Sequence, residues 1–345
     1  MRKLTLLPLL LLILCPVIAQ SGKRAFDIAD VYKTVSPGAP DFSPDGKLVI
    51  FSVQKYKLEE AKSWSEIWMM NADGSNLRQM TFGEDRDSNP VFSPDGTRFI
   101  FVSLREGGTP QLFSMRVDGG EAKQLTKFSM GVADPAWSPD GKWIAVTAEV
   151  FPECGSDSAC NEKIRKTWEE GKLKAHMADS LLYRHWTSWA DGKAAHVLLV
   201  NAESGEVAKD LTPGQWVSPT FSLSGDRGYD FSPDSKELCF VSNREKDQAS
   251  TTNADLWVVA LDGEVKESDA INITEANDGW DGAPLYSPDG RYIAYRSQEK
   301  PAYESDLFRI AMYDRQTKSV RHLTDRKTFD NWVTEVEWAP DSKRL

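Results

Sequence analysis

The phrase Ser-Pro-Asp-Gly, or a close variant of it, returns six times, and its spacing limits the folds open to this chain. It begins at Ser43, Ser93, Ser138, Ser232 and Ser287, and again as Ala-Pro-Asp-Ser at Ala339. The steps between copies are 50, 45, 94, 55 and 52 residues, and the long one reads as two periods with one phrase missing or overwritten. An aromatic residue precedes every copy, and apolar runs such as "LVIFSV" and "RFIFVS" follow the first five. Pro at the second position presets φ for a type I turn, Asp at the third bonds nearby backbone, and Gly at the fourth accepts positive φ. A type I turn followed by a left-handed residue connects two antiparallel strands. The apolar run after the turn reads as a strand buried on both faces. The Ser and Asp of the phrase are therefore turn residues and not a catalytic pair.

A second repeat answers the first. Segments such as "EIWMMNADGSNLRQMT" and "QLFSMRVDGGEAKQLT" end at Thr81, Thr126, Thr212, Thr274 and Thr324. Each reads as a strand, a Gly- or Asp-bearing turn and a second strand closing on Leu-Thr, Met-Thr or Ile-Thr. One turn phrase plus one such hairpin gives four strands, and four-stranded units of about 40–50 residues make β-propeller blades. The expected fold class is all-β: a β-propeller of four-stranded blades, five complete plus the start of a sixth, with a helical insertion in the third. The blades fall at about 40–81, 90–126, 135–212, 219–274 and 284–324, with a partial one at 335–345 and the insertion at about 150–190. A propeller closes to leave no open sheet edge. Residues 20–345 are accordingly expected to be an incomplete propeller domain, whose edges would pair between copies in a homo-oligomer.

The first 19 residues are a different material. Arg2 and Lys3 precede an apolar run, Leu4 to Leu14, and then Pro16, Val17, Ile18 and Ala19. A basic start, a short apolar stretch and a small residue at the cut site form a secretory signal peptide, with cleavage expected between Ala19 and Gln20. The run is short for a membrane span, so no membrane association is expected after cleavage, and the protein is expected to be exported, periplasmic or secreted. Cleavage removes two positive charges and takes the net charge from −11 to −13. No Lys/Arg cluster suggests a phosphate-binding surface, which argues against nucleic acid as a partner.

Export favours joining Cys154 and Cys160 across the polar loop "GSDSA", since an oxidising compartment maintains disulfides. So small a ring contributes roughly 2 kcal/mol through loop entropy; two free thiols are the alternative. Cys239, in "ELCFV", reads as a buried thiol. Four Cys and four His without close ligand spacing argue against a metal site.

The insertion continues as "NEKIRKTWEEGKLKAHMADSLLYRHWTSWADGK". Helices are expected over Asn161–Glu170 and Ala175–Arg184, with Gly171 between them. Tyr183, Arg184, His185, Trp186 and Trp189 fall within seven residues. Aromatics beside Arg and His on a long insertion suit a surface that grips a peptide or another domain; packing of the insertion onto the blade rim explains them equally. Glu169 and Glu170 form a carboxylate pair able to hold an ammonium group, or the solvated face of a helix.

Recognisable catalytic machinery is missing from the sequence. No Gly-x-Ser-x-Gly occurs, and "FSLSGDRG" at Phe221 lacks the first Gly. His176, His185, His196 and His322 have no evident Ser and carboxylate partners. Without a phosphate loop, a Rossmann fingerprint or His-Glu-x-x-His, no cofactor is expected.

The exported start, the repeated blades and above all "AHMADSLLYRHWTSWADGKAAHVLLVN" resemble the N-terminal propeller of the prolyl oligopeptidase family of serine peptidases. The nearest likeness is to its dipeptidyl-peptidase V and acylaminoacyl-peptidase branch, and it covers essentially everything after the leader. The resemblance implies a two-domain enzyme whose propeller limits access, so that short peptides reach a Ser-Asp-His triad in a C-terminal α/β-hydrolase domain. That domain is absent from these residues, and no triad position can be carried over. Members of this branch remove dipeptides or acylated residues from peptide N-termini. Related dipeptidyl peptidases bind the substrate amine with a propeller Glu pair, which is what makes Glu169 and Glu170 candidates. A TolB-like, non-catalytic propeller mediating protein–protein interaction in the periplasm is the alternative. A propeller hydrolase or lyase with a central-channel site is a third.

Overall fold

A computed structural model describes residues 24–179, 181–221 and 226–345. The leader, with its cleavage site at Ala19 and Gln20, lies outside the described residues. Five antiparallel sheets follow one another along the described chain. In the second, Asp87–Phe92, Arg98–Ser103, Gln111–Arg116 and Lys123–Gln124 pair in sequence order. The third, fourth and fifth repeat this order from Ala133–Trp137, Tyr229–Phe231 and Asp281–Tyr286. In the first, Ser36–Pro37 and Asp41–Phe42 share one edge of the long strand Leu48–Lys57. These sheets are blades 1 to 5 below, and the strands of each are termed first to fourth from the Ser-Pro-Asp-Gly side of the chain.

The repeated phrase forms the turn between the first and second strands of each blade. In blade 1 the Gly46 N–H donates to Ser43 O at 2.8 Å, and Gly46 takes φ +68°. The Ser43 hydroxyl accepts from Leu48 N at 2.9 Å. In all five blades the serine hydroxyl donates to the Asp two residues on, at 2.5–2.8 Å. This bond is the largest cause holding the Asp95, Asp234 and Asp289 carboxyls below their ordinary range. Ser235 and Ser342 replace the glycine yet keep φ +57°. Their hydroxyls accept from the Asp140 and Asp289 N–H groups of the preceding turn, each at 3.0 Å. The turns thus stack from one unit to the next. The sixth, at Trp338–Ser342, packs on blade 5, where Trp338 Nε1 donates to Leu285 O at 3.1 Å.

The continuous apolar runs are two alternating sets. Phe99 and Phe101 face the core shared with blade 1, whereas Ile100 and Val102 face the core shared with blade 3. Leu238 and Phe240 face blade 3, and Cys239 and Val241 face blade 5. Period-2 geometry sends successive side chains to opposite faces. Since both faces of each inner blade are covered by a neighbour, both sets are apolar.

The threonine closing each blade also has one structural role. The hydroxyls of Thr81, Thr126, Thr212, Thr274 and Thr324 accept from the backbone N–H of Ile67, Leu112, Val197, Leu256 and Ile310, all at 2.9 Å. Each caps an N–H beyond the reach of the short fourth strand, and buried N–H groups demand a partner.

The insertion occupies residues 151–193 between Trp143–Val150 and Ala194–Asn201, which pair over eight residues, so the 94-residue step is one blade enlarged by this insertion and not two periods with a phrase lost. Its helix is Ser158–Glu170, starting three residues before Asn161 because the Asp157 carboxylate accepts from Cys160 N. Cys154 and Cys160 form a disulfide with Cα atoms 5.5 Å apart. The second expected helix is absent: Ala175–Asp179 and Leu181–Tyr183 are irregular, and Arg184–His185 pairs with Ser188–Trp189 in a hairpin. Ten residues are too few for a helix to hold without packing, and Met177, Leu181 and Leu182 are all exposed. Among the described residues, no helix is long and apolar enough to cross a membrane.

Candidate functional site

The loops joining second to third strands all leave the propeller on the face opposite the stacked turns. On that face the insertion of blade 3 meets the corresponding loops of blades 4 and 5. A cavity of about 550 Å³ lies between them. Arg184, His185 and Trp189 of the hairpin form one wall, with Phe221 beside them. Asn243 and Asn253 of blade 4, and Trp280, Gln298 and Glu304 of blade 5, form the others.

Stacking holds the hairpin wall. His176 lies on Trp189 with ring centroids 4.2 Å apart and planes 6° from parallel. Trp168 of the helix lies tilted against His176 at 5.3 Å, and Tyr183 stacks on Trp189 at 5.7 Å. His176 Nδ1 is 2.7 Å from Asp191 Oδ1, which fixes the imidazole plane. Arg184 is turned back on its own hairpin, donating to Trp186 O at 2.7 Å. His185 packs on Phe221 at 4.5 Å. The result is a largely aromatic wall tied to the helix at its rear.

Charges at the cavity are distributed unequally. Lys193 Nζ lies 3.1 Å from Glu149 Oε2 and neutralises it, while Glu304 is exposed on the rim. Next in sequence to Trp280, Asp281 is fully buried. Burial pushes its carboxyl up to about 7, against the opposing effect of bonds to Ser297 and Asn277. Asp255 is likewise raised by burial.

Of the residues singled out in the sequence, the structure brings Arg184, His185 and Trp189 to the cavity. Tyr183 supports it from behind, and Trp186 stands exposed at the hairpin tip. Glu169 and Glu170 are not among its lining residues. Helical spacing sets Glu169 four residues after Arg165, whose Nη1 donates to both of its carboxylate oxygens at 2.7 and 2.9 Å. Glu170 is the exposed last residue of that helix. Two histidines have carboxylate partners that spacing did not reveal: His176 with Asp191, and His196 with Asp210 Oδ2 at 2.6 Å. The His196 ring is fully buried. Sequence reasoning missed Glu149, Asn253, Trp280, Gln298 and Glu304. Their signal was positional: Glu149, Asn253, Gln298 and Glu304 stand near the end of an apolar second strand or in the loop after it, and Trp280 immediately precedes the first strand of blade 5.

Residues 23–155 match the family described as "TolB beta propeller domain". Dipeptidyl-peptidase 5 of Porphyromonas gingivalis is 33% identical over 309 residues, covering 88% of this chain and 43% of that protein. Acylaminoacyl peptidase from Pyrococcus horikoshii superposes with a TM-score of 0.61 at 16% identity, over 86% of this chain and 40% of that one. A putative TolB from Agrobacterium tumefaciens gives a TM-score of 0.50 at 20% identity, over 84% and 81%. The chain therefore spans less than half the length of the peptidases it matches, and the part it matches is a propeller.

Proposed function

We propose, for a chain that belongs among the N-terminal β-propellers of the prolyl oligopeptidase family, that its insertion-bearing face receives short peptides on behalf of a serine peptidase. The observation that carries this reading is the cavity closed by the aromatic hairpin. It is a concave site with an apolar wall and a few polar groups, the usual character of a small-ligand pocket. Trp189 and Phe221 suit the side chains of a short peptide, and the amides of Asn243, Asn253 and Gln298 suit its main chain. The remaining length of the peptidase relatives accommodates the α/β-hydrolase domain that the resemblance implies. The propeller would then gate a site releasing dipeptides or acylated residues from N-termini, in a protein exported by its leader to the periplasm or the medium.

A second reading, a non-catalytic module docking a protein partner, is favoured by the exposed Leu173, Met177, Leu182 and Trp186 on the same insertion. The deciding experiment reads the coding sequence beyond the Leu345 codon and assays the encoded protein on dipeptide-coupled fluorogenic substrates. A frame continuing into Gly-x-Ser-x-Gly, with dipeptide release that falls on Trp189→Ala, supports the peptidase reading. A stop after Leu345 and no release overturns it and leaves the docking module.

A further inference from the structure

We propose that His176 is a positioning residue for the peptide site: stacked on Trp189 and held by Asp191, its ring fixes the aromatic wall and so sets a preference for a large apolar side chain in the bound peptide. This inference rests on the peptide reading above and adds to it a residue, outside the cavity lining, that decides which side chains the wall favours.

Trp189 lines the cavity and is 39% exposed, so a ligand can reach it. What holds it is a short chain of contacts leading back to blade 3. Asp191 and Gly192 form a tight turn with φ +49° and +78°, just before the strand Ala194–Asn201. Lys193 N closes the turn on Ala190 O at 2.9 Å. An Asp-Gly pair suits such a turn, whose two central residues both take positive φ. The Asp191 carboxylate, 2.7 Å from His176 Nδ1, only accepts when ionised, so the imidazole N–H donates to it. The imidazole held in this way lies 4.2 Å from the Trp189 ring and 6° from parallel, with Trp168 of the helix tilted against it at 5.3 Å.

Among the described residues from Ala175 to Leu182, His176 alone makes a side-chain hydrogen bond or a ring contact, while Met177, Leu181 and Leu182 are exposed. His176 therefore ties this irregular segment to the hairpin, and the hairpin ring to the helix. Fixing Trp189 before binding spares the side-chain freedom that a loose indole would lose on meeting a ligand. The gain falls on ligands that use the ring. An aromatic side chain has a flat partner already in place, whereas a methyl group has little surface to lay against it. His176 thus acts on selectivity through Trp189, without itself bordering the cavity.

The test measures, by calorimetry, binding of the tetrapeptides Ala-Phe-Ala-Ala and Ala-Ala-Ala-Ala to this protein and to its His176→Ala and His176→Phe variants. The unaltered protein should prefer the Phe peptide. In His176→Ala that preference should fall about fivefold, the scale of one aromatic contact, with the all-Ala peptide bound as before. His176→Phe keeps a ring on Trp189 and should restore most of the preference. His176 is exposed, so both variants should melt like the parent. If His176→Ala nevertheless loses its cooperative melt, His176→Gln, which keeps a donor for Asp191 but has no ring, is read on the same ratio. An unchanged preference, an equal loss for both peptides, or a His176→Phe variant no better than His176→Ala overturns the inference while leaving the peptide reading standing. So does the lack of any preference in the unaltered protein. If neither tetrapeptide binds the unaltered protein, the peptide reading fails first and this inference with it.

Discussion

Replacing Asp281 by Asn should make the protein more stable at pH 7.5 than the parent, by an amount that shrinks as the pH falls. Two blades use one position differently. Asp87 in blade 2 and Asp281 in blade 5 each begin a first strand and stand opposite a serine, Ser103 and Ser297. Asp87 is neutralised by Arg105, whose Nη2 lies 2.6 Å from Oδ2. Asp281 has the uncharged Asn277, at 2.9 Å, and a nearby acid, Asp255, which opposes its ionisation. A carboxyl raised from its ordinary value near 4 to about 7 disfavours the folded, ionised form by about 4 kcal/mol. Because the folded value is the higher one, this contribution is fully stabilising below about pH 4 and is lost as pH rises towards 7. The amide that replaces the carboxyl has no such proton to lose. Urea unfolding of both proteins at pH 4.5, 5.5, 6.5 and 7.5 should show a difference growing by about 1.4 kcal/mol per pH unit and flattening above about pH 7. Parallel pH profiles, or a variant less stable at pH 7.5, would refute the argument.

Other consequences follow from the same structure. Thr126→Val removes the hydroxyl that accepts from Leu112 N and donates to Gln111 Oε1 at 2.7 Å. With both partners buried, it should cost about 1–3 kcal/mol in urea unfolding, whereas Thr328→Val on the exposed surface should change little. The loop at the base of the insertion is held twice, by the disulfide and by the buried Asn161, whose Oδ1 accepts from Phe151 N at 2.9 Å and whose Nδ2 donates to Gly155 O and Asp157 O. Asn161→Ala should therefore lower the melting temperature and speed proteolysis of the insertion more than the double replacement Cys154→Ser with Cys160→Ser; the reverse ranking would show that the disulfide dominates.

How much was legible in the sequence follows from which features repeat. The turn phrase was legible because Pro, Asp and Gly each have a local backbone reason to be there, and local reasons survive without a partner. The apolar runs revealed blades buried on both faces, although only the structure shows that Phe101 and Val102 serve different neighbours. The closing threonines were visible as a pattern, while their purpose, capping an N–H across the hairpin, needed three dimensions. The region after Gly171 carries Ala, Met, Leu and Arg, which favour helix, yet Met177 and Leu182 stay exposed there, so no packing holds a short helix. Glu169 drew attention as half of a pair, and Arg165 one turn earlier claims it. The cavity was only half legible: the hairpin residues stood out as an aromatic cluster, whereas Asn253, Trp280 and Gln298 come from non-repeating loops far apart in the chain. Only the circular order of blades brings those loops together.

The most direct test of the central claim asks which face of the propeller a peptide touches. A short peptide carrying a photoactivatable phenylalanine analogue would be crosslinked to the protein and the sites mapped by mass spectrometry. The account predicts adducts on the Arg184–Trp189 hairpin, Phe221 and the blade 4 loop near Asn253, competed away by the unlabelled peptide. Adducts confined to the opposite face, around the Ser-Pro-Asp-Gly turns, or labelling that unlabelled peptide fails to compete, would contradict it.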